Sequence, residues 1–501
     1  MNQHYERLQV YLDKRAALLS AMTLMEWDNE TLAPGKAAEK TARCMGILAE
    51  ELYHSIVNAE AIGLIHQLQE EEDLTEIQKA VVRTLAKELE KLEKISPKDE
   101  RAYSELVSRS QMVWQKAKVE DDYDTFAPYL EQVVDMTRKR NACCRKEGQR
   151  LYDVSLYEYE EGFGIQELDV FFAELKKTIV PLLKRIQESG VQPNTDFVYR
   201  TYEVKKQKQF NLWLADYLGF DLEKGVIGES EHPFTTNLHN EDVRITTHYD
   251  PNNLLSAIFS TIHETGHALY EMHIPDEMTL TPVGSGASCG MHESQSRMME
   301  NMIGRSIAFW EPIFGKLKAC FPDQLEDVDL DQFVRAINRV QADLIRTESD
   351  ELTYCLHIMV RYEAEKKLLE ENVPVSELPH LWNSLYQEYL GVVPERNRDG
   401  VMQDVHWAGG MFGYFPSYAL GNAFAAQLYH KMAQELDIPQ LLRQGQISEI
   451  SDWLAEHVHC YGATKTAGEI LQLATGESFN PQYYTRYLTE KYTRLYRLEE
   501  K

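Results

Sequence analysis

The 501 residues carry 80 acidic against 52 basic side chains, a formal net charge of −28, with 43% of positions apolar. That balance argues against a nucleic-acid binder, which needs clustered Lys and Arg to neutralise phosphates, and against docking on an anionic membrane. No apolar run reaches the ~18–20 residues of a membrane-spanning helix, and the first residues, MNQHYERLQVYLDKR, hold charges where a signal peptide would hold its apolar core. Seven scattered cysteines without a CxxC pair give neither a disulfide framework nor a thiolate zinc site. Reduced thiols in a cytoplasmic protein are the expectation.

Residues 1–190 read as helical almost throughout. TEIQKAVVRTLAKELEKLEKI repeats apolar residues at three- and four-residue steps with charges between them, and Pro97 and Pro128 mark breaks. Nothing repeats at a fixed period and no Ser/Gly-rich linker divides the chain, so residues 1–501 are expected to form one unit. Residues 225–249, GVIGESEHPFTTNLHNEDVRITTHY, are rich in Thr, Val and Ile around a turn at Asn237 to Asp242 and read as a small hairpin or antiparallel sheet. Asp250-Pro251 then resembles an N-cap followed by proline at the first helical position. A helix is predicted from there to about His273, before Pro275, and a second from near Met291. These two occupy 250–310. Helical texture continues through 311–501, broken by WAGGMFGYFPSYALG. The expected class is mainly α, with one small antiparallel sheet beside the central helices.

The first central helix contains TIHETGHALYE. His263 and His267 lie four residues apart and project from one helix face. Two imidazoles so placed share one zinc ion at Zn–N distances of about 2.0–2.1 Å. Glu264 reaches the open side, where it can take a proton from a water activated by the metal. The motif sets ligand, ligand and base on one rigid element. Apolar neighbours bury this helix, and buried His and Glu need partners, which a metal supplies. A catalytic site needs a third protein ligand. Glu293, in MHESQSRMMEN, is the leading candidate, and His292 beside it is the competing one. His273 stands where a metzincin places its third histidine, but Tyr270 occupies the glycine position of that signature, so His273 reads as a helix-end residue.

HESQ, His292 to Gln295, completes a set of motifs that resembles the carboxypeptidase Taq family of metallocarboxypeptidases. HPF stands at His232 to Phe234, and DVRIT at Asp242 to Thr246. IRTESD, Ile345 to Asp350, departs from its pattern only at Ser349, and GVMQDVHW, Gly400 to Trp407, is intact. MEWDNET and GYFPSYALGNAFAAQ are similar to family segments too, so the resemblance spans nearly the whole chain. It implies a helical, saddle-shaped fold with a deep groove, a zinc or cobalt ion in the HExxH site, and a homodimer. The implied activity is release of single C-terminal residues from peptide substrates with broad preference. Internal cutting of short peptides, as in thimet-type oligopeptidases, is the alternative.

A carboxypeptidase must hold the terminal carboxylate, and arginine does so through bidentate bonds. Arg346 and Arg244 are the motif arginines available, each with a structural ion pair as the competing role, for instance to Asp350 or Asp242. His406 and Tyr418 could donate to the oxyanion formed on the peptide carbonyl, or be a satisfied core histidine and a packing tyrosine. Gln403 and Asp404 read as residues that orient neighbours. His232 would shape the groove or serve the core.

Overall fold

A computed structural model describes residues 2–498. Helix α1 (Gln3–Thr31) opens the chain, capped by the Asn2 side chain on the His4 and Tyr5 amides. The periodic segment forms α2 (Glu76–Lys94) behind a capping box of Thr75 and Gln78. Its apolar stripe, including Val81, Leu85 and Leu89, joins Leu8 and Leu12 of α1 in a separate N-terminal cluster. Pro97 starts helix Pro97–Glu120 behind Ser96. Pro128 does not break the chain as expected, because it lies inside helix Tyr123–Cys144. It sits on the exposed face near the helix start, while Phe126, Leu130 and Val133 are buried on the other side. The lost hydrogen bond is offset by that packing.

Helix α3 (Leu151–Tyr159) leads, through further helices, to strands β1 (Gly225–Glu229), β2 (Thr235–His239) and β3 (Asp242–Thr247). The sheet order is β1-β3-β2. β2 and β3 make the expected antiparallel hairpin, but β1 pairs with β3 in parallel, Gly225 opposite Val243, so the sheet is mixed rather than antiparallel. The hairpin announces itself through its turn residues. A parallel neighbour is joined through a crossover and leaves no such local signature. Val243 and Ile245 of β3 pack on Ala268 and Met272 of the next helix.

That helix, α4 (Leu254–Met272), is capped by Asn253 rather than Asp250. The Asp250 carboxylate instead accepts the Asn252 amide in a preceding turn. An asparagine two residues beyond the proline reaches the Leu255 and Ser256 amides and displaces the predicted cap. Helix α5 (Cys289–Arg297) follows, then α6 (Glu351–Leu369) and α7 (Phe415–Glu435) in the helical C-terminal part. Helix α5 is wedged between α4 and α7. A Cβ at Gly266 of α4 would lie 2.6 Å from Ser296 Cα, and one at Gly421 of α7 would lie 2.7 Å from Glu293 Cβ and Cγ. The three helices therefore meet almost backbone to backbone.

Gly266→Ala should lower the urea midpoint, with a cost of about 1–3 kcal/mol from overpacking a rigid contact. Gly315→Ala should instead be neutral or stabilising by up to about 1 kcal/mol, because its Cβ meets nothing within 4 Å on helix Ile307–Cys320. Equal midpoints for parent and Gly266→Ala would show that the helices yield at this contact.

Candidate metal centre

His263 and His267 project from α4 with ring centroids 5.0 Å apart. Glu293, on the second turn of α5, brings Oε2 to 3.8 Å from His263 Nε2 and 3.4 Å from His267 Nε2. The three donor atoms lie within 4.8 Å of one another. Metal–ligand bonds of about 2.0–2.2 Å in a tetrahedron place ligand atoms roughly 3.4 Å apart, so the spacing fits one ion.

The outward ring nitrogens are occupied. His263 Nδ1 lies 2.9 Å from Glu300 Oε2, which leaves Nε2 as the bare lone pair. His267 Nδ1 lies 2.6 Å from His292 Nδ1, and His292 Nε2 lies 2.7 Å from Glu271 Oε1. The carboxylate at the end can only accept, so His292 donates to it and accepts from His267. His267 Nε2 is then also free for a metal. Burial pushes the His267 imidazole down to about 3, which keeps it neutral. The residues present therefore fit the ion that HExxH implies.

Glu293 shares its other oxygen with Arg297 Nε at 2.6 Å, and Arg297 Nη1 reaches Glu300 at 3.1 Å. Burial alone would raise both carboxyls, but Arg297 and neighbouring histidines hold them below the usual carboxylate range. Glu300 lies on a π-helical turn, Met298–Ile303, that continues α5. Such turns often accompany functional sites. Glu264 is 6% exposed and accepts from Thr235 Oγ1 at 2.6 Å. Burial raises its carboxyl against the pull of His263 and Thr235.

His263, Glu264, His267 and Glu293 open into a cleft of about 680 Å³ walled by Tyr157, Tyr159, Phe234, Tyr414 and Tyr418. Lys87 and Glu161, paired at 3.0 Å, line this cleft and also two adjoining cavities of about 990 and 680 Å³. The groove thus runs on beyond the metal centre.

The remaining candidates fall around this cleft. Tyr418 lines it, and burial raises its phenol, so the hydroxyl keeps its proton. His406 stands behind, 6.4 Å from Tyr418 and tilted against Phe415 at 4.5 Å, and burial pushes it down to about 4. Arg346 is 6% exposed and does not line the cleft. Its Nε and Nη2 bond Asp404 Oδ1 at 3.1 and 2.9 Å, and Nη1 bonds the Tyr354 hydroxyl at 3.0 Å. Its partner is therefore Asp404, while Asp350 caps α6. Gln403 Oε1 accepts the Arg346 amide, so IRTESD and GVMQDVHW are tied together. Arg361 binds the second oxygen of Asp404. Arg244 holds Asp242 at 2.7 and 2.8 Å and lies over the Trp27 ring. His232 is exposed and outside the cleft wall, to which its neighbours Pro233 and Phe234 belong. His273 is the C-cap of α4 and faces His459 at 3.0 Å.

Sequence reasoning missed Glu271, Glu300, Arg297, Thr235 and Tyr414. Two signals were available: Glu271 stands four residues after His267, and Glu293, Arg297 and Glu300 share one helical face. Thr235 reaches Glu264 from another element and had none.

The model of the carboxypeptidase Taq (M32) metallopeptidase family matches residues 7–492. Carboxypeptidase 1 of Bacillus subtilis is 43% identical over 497 residues, 99% of each chain. Thermostable carboxypeptidase 1 of Thermus thermophilus is 38% identical over 98% of this chain and 99% of its own. The crystal structure of the M32 carboxypeptidase from Deinococcus radiodurans R1 superposes with a TM-score of 0.96 at 34% identity, covering 99% of this chain and 100% of that one. With a family match over nearly its whole length and the HExxH donor set assembled, the chain belongs to the carboxypeptidase Taq (M32) family and is a metallocarboxypeptidase.

Proposed function

We propose that this chain releases single C-terminal residues from peptides with broad side-chain preference, using zinc, or cobalt in its place, held by His263, His267 and Glu293. The observation that carries the reading is the convergence of these three donors beside Glu264 in one cleft. A bound zinc ion would supply Lewis acidity there, polarising a carbonyl and lowering the pKa of water. Glu264 takes the proton from the attacking water and passes it to the leaving amine, with Thr235 fixing its carboxylate. Tyr418 donates to the developing oxyanion, whereas His406, which does not line the cleft, is assigned instead to supporting Tyr418 from behind through Phe415.

Arg346 is assigned to terminal-carboxylate recognition. One carboxylate, Asp404, is shared by Arg346 and Arg361, so the buried cluster retains a surplus positive charge behind Tyr418. That charge favours a free carboxylate over a neutral amide in the cleft. Arg244 and His232 are assigned to shaping the groove, Arg244 through Trp27, which packs on Phe234 at 5.6 Å. The continuation of the groove past Lys87 favours the second reading, internal cutting of short peptides. We place the protein in the cytoplasm, consistent with seven free cysteines, and as a homodimer on family resemblance.

Glu264→Gln should keep the metal and lose hydrolysis by at least ~10²–10⁴-fold. Substantial activity in a metal-loaded variant would remove Glu264 from the role of base. Glu293→Ala should lose the metal on dialysis, whereas His292→Ala, one bond removed from it, should weaken retention by only ~10–100-fold. Equal metal content in both variants would place the third ligand elsewhere.

The peptide assay compares free acids with their C-terminal amides. Mass spectrometry of the parent's digests should show a ladder from the C-terminus, with amides cut poorly. Arg346→Ala should lower kcat/KM on free acids severalfold, because its charge acts across the Tyr418 ring without a direct bond, and on amides far less. Internal cuts, or amides cut as well as acids, would establish the oligopeptidase reading instead. An equal loss on acids and amides would reduce Arg346 to a structural residue.

A further inference from the structure

Glu160 belongs to neither the donor set nor the family motifs quoted above, yet it is 3% exposed at the C-terminal end of α3. Its Oε1 accepts from Ser288 Oγ at 2.5 Å and its Oε2 from the Gly290 amide at 2.7 Å. Ser288 is the N-cap of α5, and Gly290 lies in its first turn. Glu293 follows one turn later. Neighbours on both sides of Glu160, Tyr159 and Glu161, line the metal cleft, as do Ser288 and Cys289. The carboxylate therefore ties the cleft wall formed by the end of α3 to the start of the helix that bears the third ligand.

We infer that Glu160 is a positioning residue that fixes the first turn of α5 and thereby sets where Glu293 meets His263 and His267. This rests on the metal-centre reading above. The physical case is that α5 has only a few turns, so a displaced first turn is not averaged out before Glu293. Contacts at Gly266 and Gly421 hold the flanks of the helix and the His292–Glu271 bond holds it beside α4, while the two bonds to Glu160 hold its amino-terminal end. A carboxylate there is also favoured by the helix dipole. Burial pushes the Glu160 carboxyl up to about 7 against the pull of Ser288 and Gly290. Both bonds survive in either protonation state, because the Ser288 hydroxyl can rotate from donor to acceptor. A glutamine, which mimics the neutral acid, should hold the helix nearly as well.

The test uses full-length protein stripped of metal and titrated with Co²⁺ alone, read by its dissociation constant and its visible spectrum. Glu160→Ala should weaken Co²⁺ by ~10–100-fold, the range for groups that orient metal ligands, and change the spectrum. Metal-loaded, it should lower kcat more than it raises KM. Glu160→Gln should restore the parent constant and spectrum. Leu85→Ala, in the N-terminal cluster that contains no metal donor, controls for lost stability and should bind Co²⁺ like the parent. If Glu160→Ala does not fold, Glu160→Asp, which draws the carboxylate back from both donors and leaves the Ser288 cap intact, should show a smaller shift in the same direction. Parent-like Co²⁺ binding in the Ala variant, failure of Gln to rescue, or equal weakening in Leu85→Ala each overturns the inference. A parent protein that binds no Co²⁺ would instead overturn the metal-centre reading itself.

Discussion

The Glu293 carboxylate comes within 4 Å of His263 and His267 across two helices that touch at their backbones. Ordinary helix pairs sit roughly 8–10 Å apart because side chains fill the space between them. Gly266, inside the HETGH motif itself, removes that filling where α4 meets Ser296, and Gly421 does so where α7 meets the Glu293 stem. The donors stand 3.4 and 3.8 Å apart across this contact. A larger residue at either glycine would move the whole of α5, because a packed helix shifts as a body and does not deform locally.

The same closeness concentrates charge in a dry place. Glu264, Glu271 and Glu293 are each 6% exposed or less, and Glu300 is 9% exposed. Uncompensated burial of a carboxylate costs several kcal/mol. Each has its own remedy: Thr235 and the adjacent His263 for Glu264, Asn237 and His292 for Glu271, and Arg297 for both Glu293 and Glu300. Arg297 in turn lies over the Tyr354 ring, whose hydroxyl accepts from Arg346. The two distant motifs around Arg346 and Asp404 are therefore electrostatically continuous with the metal centre, although neither lines the cleft. They read as functional in the sequence through the family resemblance, and stand in the structure as a layer behind the walls.

What the sequence disclosed follows from range. The helical class, α4, and the pairing of His263 with His267 depend on three- and four-residue spacing, and all were legible. The hairpin of β2 and β3 depends on a turn and was legible too. The parallel pairing of β1, the link of Thr235 to Glu264, and the link of Glu160 to α5 join segments far apart in the chain. No local pattern carries them. Asp250 misled because a cap is chosen by competition between neighbouring polar residues, and Asn253 had the better reach. Pro128 misled because a proline near a helix start costs one backbone hydrogen bond, which the packing of Tyr123–Cys144 offsets.

The base and the ligands answer to different parts of the molecule. His263 and His267 are held through Glu300 and His292, all on the central helices, and Glu293 through α5 and α7. Glu264 shares the backbone of α4, but its carboxylate is held by Thr235, the first residue of β2. That strand begins directly after Phe234, which is packed on Trp27 of α1. Trp27 in turn lies under Arg244, itself clamped on Asp242 in β3. The line from α1 through Trp27, Phe234 and Thr235 to Glu264 means that the N-terminal helix, which touches none of the three metal donors, helps hold the base. A second line, from α3 through Glu160 to α5, serves the third ligand. Base and ligand are thus each held from the N-terminal part of the chain, so α1 and α3 belong to the catalytic unit and are more than a lobe attached to it.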